Sequence, residues 1–253
     1  MSKKIYLFLS VCLILSICTV LTISGYDKYS ERKQIEAYMS RKLNLDIMDL
    51  ISLIEKNHNI TEEILETNVI QTNQLYRLTI DTISMMQFFH AIEHFEANIK
   101  DVTIYMEVFG GINSPRIKVE SIRSVQVFCN KLKNKYDENN ETKGEEILVE
   151  LDDSLRKQVE IINHLYKGWI NAVDNIEGVI VENEKVITDL EYLENYYGKY
   201  SINSDYWVDF IRNIEEETRK TLRYFDEKEG WSTSGKRLEN EGSEMLDELF
   251  LIE

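Results

Sequence analysis

Two histidines and a glutamate lie close together in an apolar stretch of the chain. His90 and His94 are four residues apart, and Glu93 directly precedes the second histidine. Residues four apart lie on one face of a helix, so both imidazoles could bind one metal ion while the carboxylate activates a bound water. The spacing predicts a candidate metal site at His90, Glu93 and His94. His164 and a carboxylate from a facing helix would be the completing ligands.

The stretch His90-Ala91-Ile92-Glu93-His94 is similar to the H-x-x-E-H pattern of inverted zinc peptidases. This resemblance implies a zinc-dependent hydrolase, although it covers five residues and no further acidic ligand can be assigned. The other interpretation is that both histidines pack on a helix and form hydrogen bonds with neighbouring helices. We favour the second interpretation and expect no bound cofactor.

A group of aromatic residues near Gly198 is a second candidate site. Such a group can hold cations, sugars or an apolar side chain of a partner. It can also close the end of a helical bundle, which is the interpretation we favour because aromatic rings have a large area to bury. The predicted partner or ligand patch comprises Tyr196, Tyr197, Tyr200, Tyr206 and Trp207.

The sequence has few other candidates for catalytic residues. We find no glycine-rich phosphate loop, no nucleophile elbow and no distinct pair of catalytic carboxylates, so a non-enzymatic function is favoured over an enzymatic one. Cys129, the one cysteine outside the N-terminal hydrophobic segment, lies on an apolar stripe beside Phe128. We expect a buried and inert thiol there.

The segment from Ile5 to Gly25 has no charged residue. As a helix it reaches about 30 Å, which matches the hydrocarbon core of a bilayer. We therefore predict a transmembrane signal-anchor over residues 5–25, preceded by a short basic tip at residues 1–4, rather than a cleaved signal peptide. The layout favours a single-pass protein of the cell membrane with its N-terminus in the cytoplasm and its C-terminal domain outside.

The part of the chain after this segment is strongly acidic. The whole chain has a net charge of −16, and residues 26–253 carry 27 Lys+Arg against 45 Asp+Glu. Because such a domain repels phosphate backbones, nucleic acid is excluded as an expected partner. The expected partners are the lipid bilayer, through residues 5–25, and a protein or a second copy of the chain.

Apolar residues recur with a helical period along most of the chain. One stripe runs from Leu43 to Met106, with a helix break near Asn57–Thr61 left open, and a second predicts one helix of about 80 Å from Glu145 to Tyr197. The expected fold is all-α. It consists of the N-terminal transmembrane helix followed by an elongated antiparallel bundle of long helices with coiled-coil-like packing.

Glycine and proline positions divide this bundle. We predict turns at Gly110–Pro115 and Gly198–Ser204, a helix start at the Thr142 capping box, and a last bundle helix from Trp207 to Phe225 that ends by Gly230. The bundle domain then covers residues 26–230. Residues 231–253 form a linker and a short acidic C-terminal helix.

Three functions fit these features. The first is a membrane-anchored helical interaction or scaffold protein, because long amphipathic helices must bury their apolar faces within or between chains. The second is a sensory or regulatory bundle that acts through a membrane partner. The third is a metal-dependent helical-bundle enzyme based on His90, Glu93 and His94. We rank them in this order.

Overall fold

The computed structural model describes residues 3–99, 117–137, 148–174, 176, 179–182, 185–188 and 206–229. Within these ranges, side chains are not described at residues 3–18, 20, 21, 93–99, 117, 135–137, 180, 181, 185–188, 226 and 229. The predicted turns at Gly110–Pro115 and Gly198–Ser204, the Thr142 capping box and residues 231–253 therefore lie outside the described residues.

The protein is a helical bundle with short antiparallel strand pairs, as the helical periodicity predicted in outline. The elements are α1 (Lys3–Thr67), β1 (Val69–Gln71), α2 (Thr72–Ile99), α3 (Ile117–Asp137), β2 (Leu148–Glu150), α4 (Asp153–Val173), β3 (Val179–Glu182), β4 (Lys185–Thr188) and α5 (Tyr206–Glu229). The predicted last helix is confirmed as α5.

The chain divides into two compact units. The first comprises Met1–Leu45 and Glu191–Ser204, and its described part is the N-terminal portion of α1. Arg32 and Lys33 bind the carboxylate of Glu36 at 3.0 and 3.4 Å, and the hydrogen bond from Arg32 lowers the pKa of that carboxyl. Pairs three and four residues apart stabilise an exposed helix such as this one.

The second unit comprises Asp46–Leu190 and Asp205–Glu253 and holds the bundle. Its helices pack most closely as the pairs α2–α3 and α4–α5, and α3 also contacts α5. The apolar stripe predicted from Leu43 onwards is buried at every described aliphatic position of its main seven-residue frame. These positions are Leu43 in the first unit and Leu50, Ile64, Leu78, Met85 and Ile92 in the second.

Helix α1 does not break near Asn57–Thr61. The Thr61 hydroxyl donates to the carbonyl oxygens of Asn57 and His58, at 3.0 and 2.8 Å, instead of capping a new helix. The break comes at Asn68, whose φ of 58° is left-handed and is better tolerated by asparagine than by most other residues. Thus the predicted stripe covers two helices that keep one apolar register across the break.

A strand pair joins this break to the start of α4. Ile70 pairs with Val149 at the centre of the antiparallel β1–β2 ladder, and the Leu151 N–H donates to the Asn68 carbonyl at 3.0 Å. The Arg156 guanidinium donates to the Leu65 carbonyl at 3.3 Å. Arg156 thereby satisfies one of the carbonyl groups that the end of a helix leaves without an intrahelical partner.

The predicted single helix from Glu145 to Tyr197 is wrong. Helix α4 begins only at Asp153, where the Asp152 carboxylate accepts from the Leu155 N–H at 2.7 Å, and the helix ends at Val173. Strands β3 and β4 then pair antiparallel, with Ile180 opposite Ile187. Six of the ten residues from Val179 to Thr188 are β-branched and favour strands over a helix. The expectation of an elongated bundle, which drew on this helix, stays a prediction.

Close packing between α4 and α5 depends on a glycine. A Cβ atom at Gly168 would lie 3.3 Å from the Thr221 Oγ1 and 3.4 Å from the Glu217 Cβ. Such distances are tighter than ordinary carbon contacts, so the absent side chain lets the two helices approach. The helix-propensity cost of a glycine here is offset by packing.

Among the residues whose side chains are described, no helix is both long enough and apolar enough to cross a membrane. The predicted transmembrane segment, residues 5–25, lies mostly outside that set, because continuous side-chain description begins at Thr22.

Candidate functional site

The histidine motif lies near the end of α2. His90 is exposed, and the side chains of Glu93 and His94 lie outside the described residues. Among the described side chains, no group of three histidine, cysteine, aspartate or glutamate residues is arranged to hold a metal ion. The metal site at His90, Glu93 and His94 therefore stays a prediction.

His164, the proposed completing ligand, instead contacts aromatic rings of α5. Its imidazole stacks on Tyr224, with ring centres 5.3 Å apart, and meets the edge of Phe225 at 5.2 Å. Partial burial lowers the pKa of His164, and Lys167 and Lys228 lower it further. The surroundings therefore favour the neutral imidazole.

The aromatic patch is described only at its C-terminal members. Tyr196, Tyr197 and Tyr200 lie outside the described residues. Tyr206 is half-buried in the first turn of α5, and Trp207 is 1% exposed. Trp207 is therefore a core residue of the bundle and is not accessible to a ligand at the surface.

A buried polar cluster connects α1 to α4. The Asn57 amide donates to the Tyr166 hydroxyl at 3.2 Å, and the Thr61 hydroxyl lies 2.9 Å from the Asn163 Oδ1. Asn57, Thr61 and Tyr166 are each at most 1% exposed. These contacts fix which residues of α1 face which residues of α4, because a shifted pairing would leave buried polar groups without partners.

The Asn57 amide is only partly satisfied. Its Oδ1 has no hydrogen-bond partner among the described residues, although its amide nitrogen has one. Asn57 is a polar residue in the seven-residue frame of the apolar stripe, between Leu50 and Ile64. The sequence thus marks the position as unusual, whereas its partner on α4 is visible only in the structure.

The nucleophilic groups near this cluster are held in their protonated forms. Burial raises the pKa of the Cys129 thiol to about 12, and burial also raises the pKa of the Tyr166 hydroxyl. Because thiolate and phenolate are the reactive species, both groups are inert at neutral pH. The expected burial of Cys129 is confirmed, and its raised pKa supports the expectation of an inert thiol.

One buried ion pair connects α3 to α5. The Lys118 Nζ lies 3.4 Å from the Glu215 Oε2, and Arg219 binds the other oxygen of the same carboxylate at 3.1 Å. Lys118 is 1% exposed. A buried ammonium needs such a partner because an isolated buried charge is strongly destabilising.

The N-terminal part of α1 exposes several large side chains. Large apolar and aromatic side chains there are more than half exposed: Ile23, Tyr26, Tyr29, Ile35, Tyr38 and Leu45. Sequence reasoning did not single out these residues. The sequence did indicate part of this surface. Tyr26 and Tyr29 follow the hydrophobic segment directly, at positions where a helix surrounded by water would normally have polar residues.

No protein-family model matches the chain, and neither a curated protein nor a solved structure is similar enough to it to indicate a family.

Proposed function

We propose that this protein is a membrane-anchored helical interaction protein. Residues 5–25 span the bilayer, and the bundle contacts a protein partner or a second copy of the chain. The N-terminus lies in the cytoplasm and the bundle outside, which is the layout of a signal-anchor with a short basic tip.

The observation that carries this proposal is the continuity of α1. The same helix holds the uncharged segment 5–25 and the core residues Ile47, Ile54 and Ile64, each at most 1% exposed. An uncharged run of that length is costly to leave in water, whereas it matches the hydrocarbon core of a bilayer. The exposed apolar residues of α1 support an interaction role in addition, since large side chains of that kind are common in interfaces.

The first experiment tests anchorage. The full chain is expressed in bacterial cells, and the membrane fraction is washed with alkaline carbonate, which removes peripheral proteins. We expect the intact chain in the washed membranes. We also expect Leu13→Arg to reduce this fraction sharply while Leu13→Ala does not, because a charge at the bilayer centre opposes insertion. A soluble chain, or a chain cleaved after the segment, contradicts the proposal.

The second experiment tests orientation. Ser154, an exposed residue in the first turn of α4, is replaced by cysteine in a chain with Cys12→Ala and Cys18→Ala. A membrane-impermeant maleimide is then added to intact cells. Labelling of Ser154→Cys in intact cells supports an outside bundle, and labelling only after lysis places the bundle in the cytoplasm. The same chain with Ser154 retained is the control, since Cys129 is buried.

A further inference from the structure

Exposed apolar side chains of the second unit gather near the start of α2. Tyr76 and Ile80, one turn apart on α2, are 56 and 42% exposed. Leu148, which pairs with Gln71 directly before α2, is 64% exposed. The Lys133 Nζ of α3 lies 5.9 Å from the centre of the Tyr76 ring. We call Tyr76, Ile80, Lys133 and Leu148 the α2–α3 surface.

The helix that supplies Lys133 is basic, unlike its neighbours. Helix α3 carries five Lys+Arg and two Asp+Glu, a net +3, whereas α2 carries one and three, and α5 five and seven, a net −2 each. Residues 131–137, at the end of α3, hold three lysines and one aspartate. Lys118 is paired with Glu215, whereas Lys131 and Lys133 form no ion pair with another described side chain. The α2–α3 surface therefore lies in a locally positive field.

The predicted short acidic C-terminal helix complements this surface in charge and in apolar pattern. Residues 238–253 hold six acidic residues and no Lys or Arg. In a helix, Met245, Leu249 and Ile252 fall on one side because they are three and four residues apart. Glu248 lies at the edge of this apolar stripe, from where a carboxylate can reach a neighbouring lysine.

The end of α5 lies at the same end of the bundle as the α2–α3 surface. Trp169 contacts Thr218 and His164 contacts Tyr224, so α4 and α5 run antiparallel. The end of α5 is thus on the side where α4 starts, and the β1–β2 pair joins that start to α2. Residues 230–242 can span about 45 Å when extended, several times the 8–10 Å between packed helices. A segment that follows them can reach Tyr76.

Two other acidic segments are less suited to this surface. Residues 138–146 follow α3 and hold four acidic residues, but they include no aliphatic or aromatic side chain that could cover Tyr76. Residues 189–205 lead from β4 to the start of α5, which is at the other end of the bundle. The C-terminal segment combines negative charge, an apolar stripe and a tether at the correct end.

We propose that residues 243–252 fold back as a helix and dock on the α2–α3 surface of their own chain. The apolar stripe covers Tyr76 and Ile80 and removes them from water. The acidic side chains lie close enough to Lys133 for a modest electrostatic contribution. Docking does not depend on membrane anchorage, so either proposal can fail while the other stands.

Photo-crosslinking in the full chain, purified in detergent, tests the contact. The probe variant is Asn73→p-benzoylphenylalanine, at an exposed residue one turn before Tyr76, so that the docking residues stay in place. The control is the same substitution at Ser154, which is exposed at the start of α4 and lies at the same end of the bundle. Crosslinked peptides are identified by mass spectrometry. We expect residue 73 to crosslink to residues 243–252 severalfold more than residue 154 does.

A pair of leucine variants tests the apolar stripe. Leu249→Ser removes a stripe residue, and the loss of one buried leucine side chain weakens a contact by about tenfold or more. Most of the crosslink from residue 73 should then disappear. Leu251→Ser is the matched control, because Leu251 lies off the stripe, and it should leave the crosslink unchanged.

A second pair of variants tests the charge. Lys133→Gln should lower the crosslinked fraction by about twofold to fivefold, the effect of losing one exposed ion pair. Arg223→Gln removes one exposed positive charge from α5 instead and should leave the fraction unchanged. An unchanged fraction in Lys133→Gln overturns the electrostatic part of the proposal.

The remaining outcomes decide whether the segment docks and on which chain. Equal crosslinking from residues 73 and 154, or none to residues 243–252, overturns docking, and so does an undiminished crosslink in Leu249→Ser. The probe chain is also mixed with a chain labelled with nitrogen-15. Crosslinks to unlabelled peptides support docking within one chain, whereas crosslinks to labelled peptides overturn it in favour of contact between two copies.

Discussion

Trp169 donates its indole N–H to the hydroxyl of Thr218 across 2.8 Å. Both side chains are fully buried, and the Thr218 hydroxyl in turn donates a hydrogen bond to the Ile214 carbonyl at 2.7 Å. Phe89 and Tyr166 meet the Trp169 ring edge-on at 6.2 and 5.7 Å. One hydroxyl on α5 thus fixes the central aromatic residue of the core.

Removing that hydroxyl should destabilise the bundle. Thr218→Val leaves the buried indole N–H without an acceptor and should cost about 1–3 kcal/mol of unfolding free energy. Thr218→Ser keeps the acceptor and should cost only the loss of one buried methyl group, about 0.8 kcal/mol. Thermal unfolding of the full chain in detergent, followed by tryptophan fluorescence, measures both. A valine variant as stable as the serine variant would show that the hydrogen bond contributes nothing.

The contact between Asn57 and Tyr166 should behave as a coupled pair. Tyr166→Phe removes the acceptor of a buried amide and should cost about 1–3 kcal/mol, whereas Asn57→Leu with Tyr166→Phe replaces both polar groups by apolar ones. The double variant should be more stable than the sum of the two single changes predicts, by about 1 kcal/mol. Unfolding of all four chains in one detergent measures the coupling. Strict additivity contradicts it.

Cys129 should react only when the bundle unfolds. With its pKa raised to about 12 by burial, the thiol is about one ten-thousandth thiolate at pH 8. A chain with Cys12→Ala and Cys18→Ala should show negligible reaction with an aromatic disulfide reagent until denaturant is added. The exposed Ser154→Cys in the same background should react at once. Fast reaction of Cys129 in the native state would indicate local opening around α3.

The stability of the protein should fall below pH 6.5 because of His164. Its pKa in the folded state lies below the ordinary value, so the unfolded chain binds the proton more readily. The contribution of His164 to stability is therefore complete above about pH 6.5 and is lost as the pH falls towards the lowered folded-state pKa. His164→Phe keeps a ring against Tyr224 and should flatten this part of the pH profile.

A histidine on another helix provides the comparison for this titration. His90→Phe, at an exposed position of α2, leaves His164 in place and should retain the slope of the parent protein. Melting temperatures between pH 5 and pH 8 should therefore separate the two variants. Parallel profiles for His164→Phe and the parent protein would remove His164 as the source.

Much of the helical framework could be predicted from the sequence, because burial on one face produces a local pattern. Leu50, Ile64 and Leu78 follow a seven-residue frame and are all buried. The second seven-residue pattern, between Glu145 and Tyr197, gave a wrong prediction, since β-branched residues can occupy every seventh position of a strand segment as easily as of a helix. The pairing of Ile70 with Val149 depends on residues far apart in sequence, which no local pattern records.

The candidate site was less predictable for a related reason. The histidine spacing at His90 and His94 is a property of one segment, whereas the burial of Trp207 and the exposure of Tyr26 depend on which other elements lie nearby. Asn57 has one property of each kind. Its place on an apolar stripe is visible in the sequence, but the identity of Tyr166 as its partner requires the packing of α1 against α4.

The β1–β2 pair has a consequence for the order of folding. Its strands are separated by about 80 residues, whereas two residues separate β3 from β4. Closing the longer loop costs more chain entropy, by about 0.6 kcal/mol for each doubling of length. We therefore expect β3–β4 to form early and β1–β2 to form only after the intervening helices have packed. Because the Arg156 contact to the last turn of α1 depends on the same closure, we expect α1 and α4 to be joined there only late in folding.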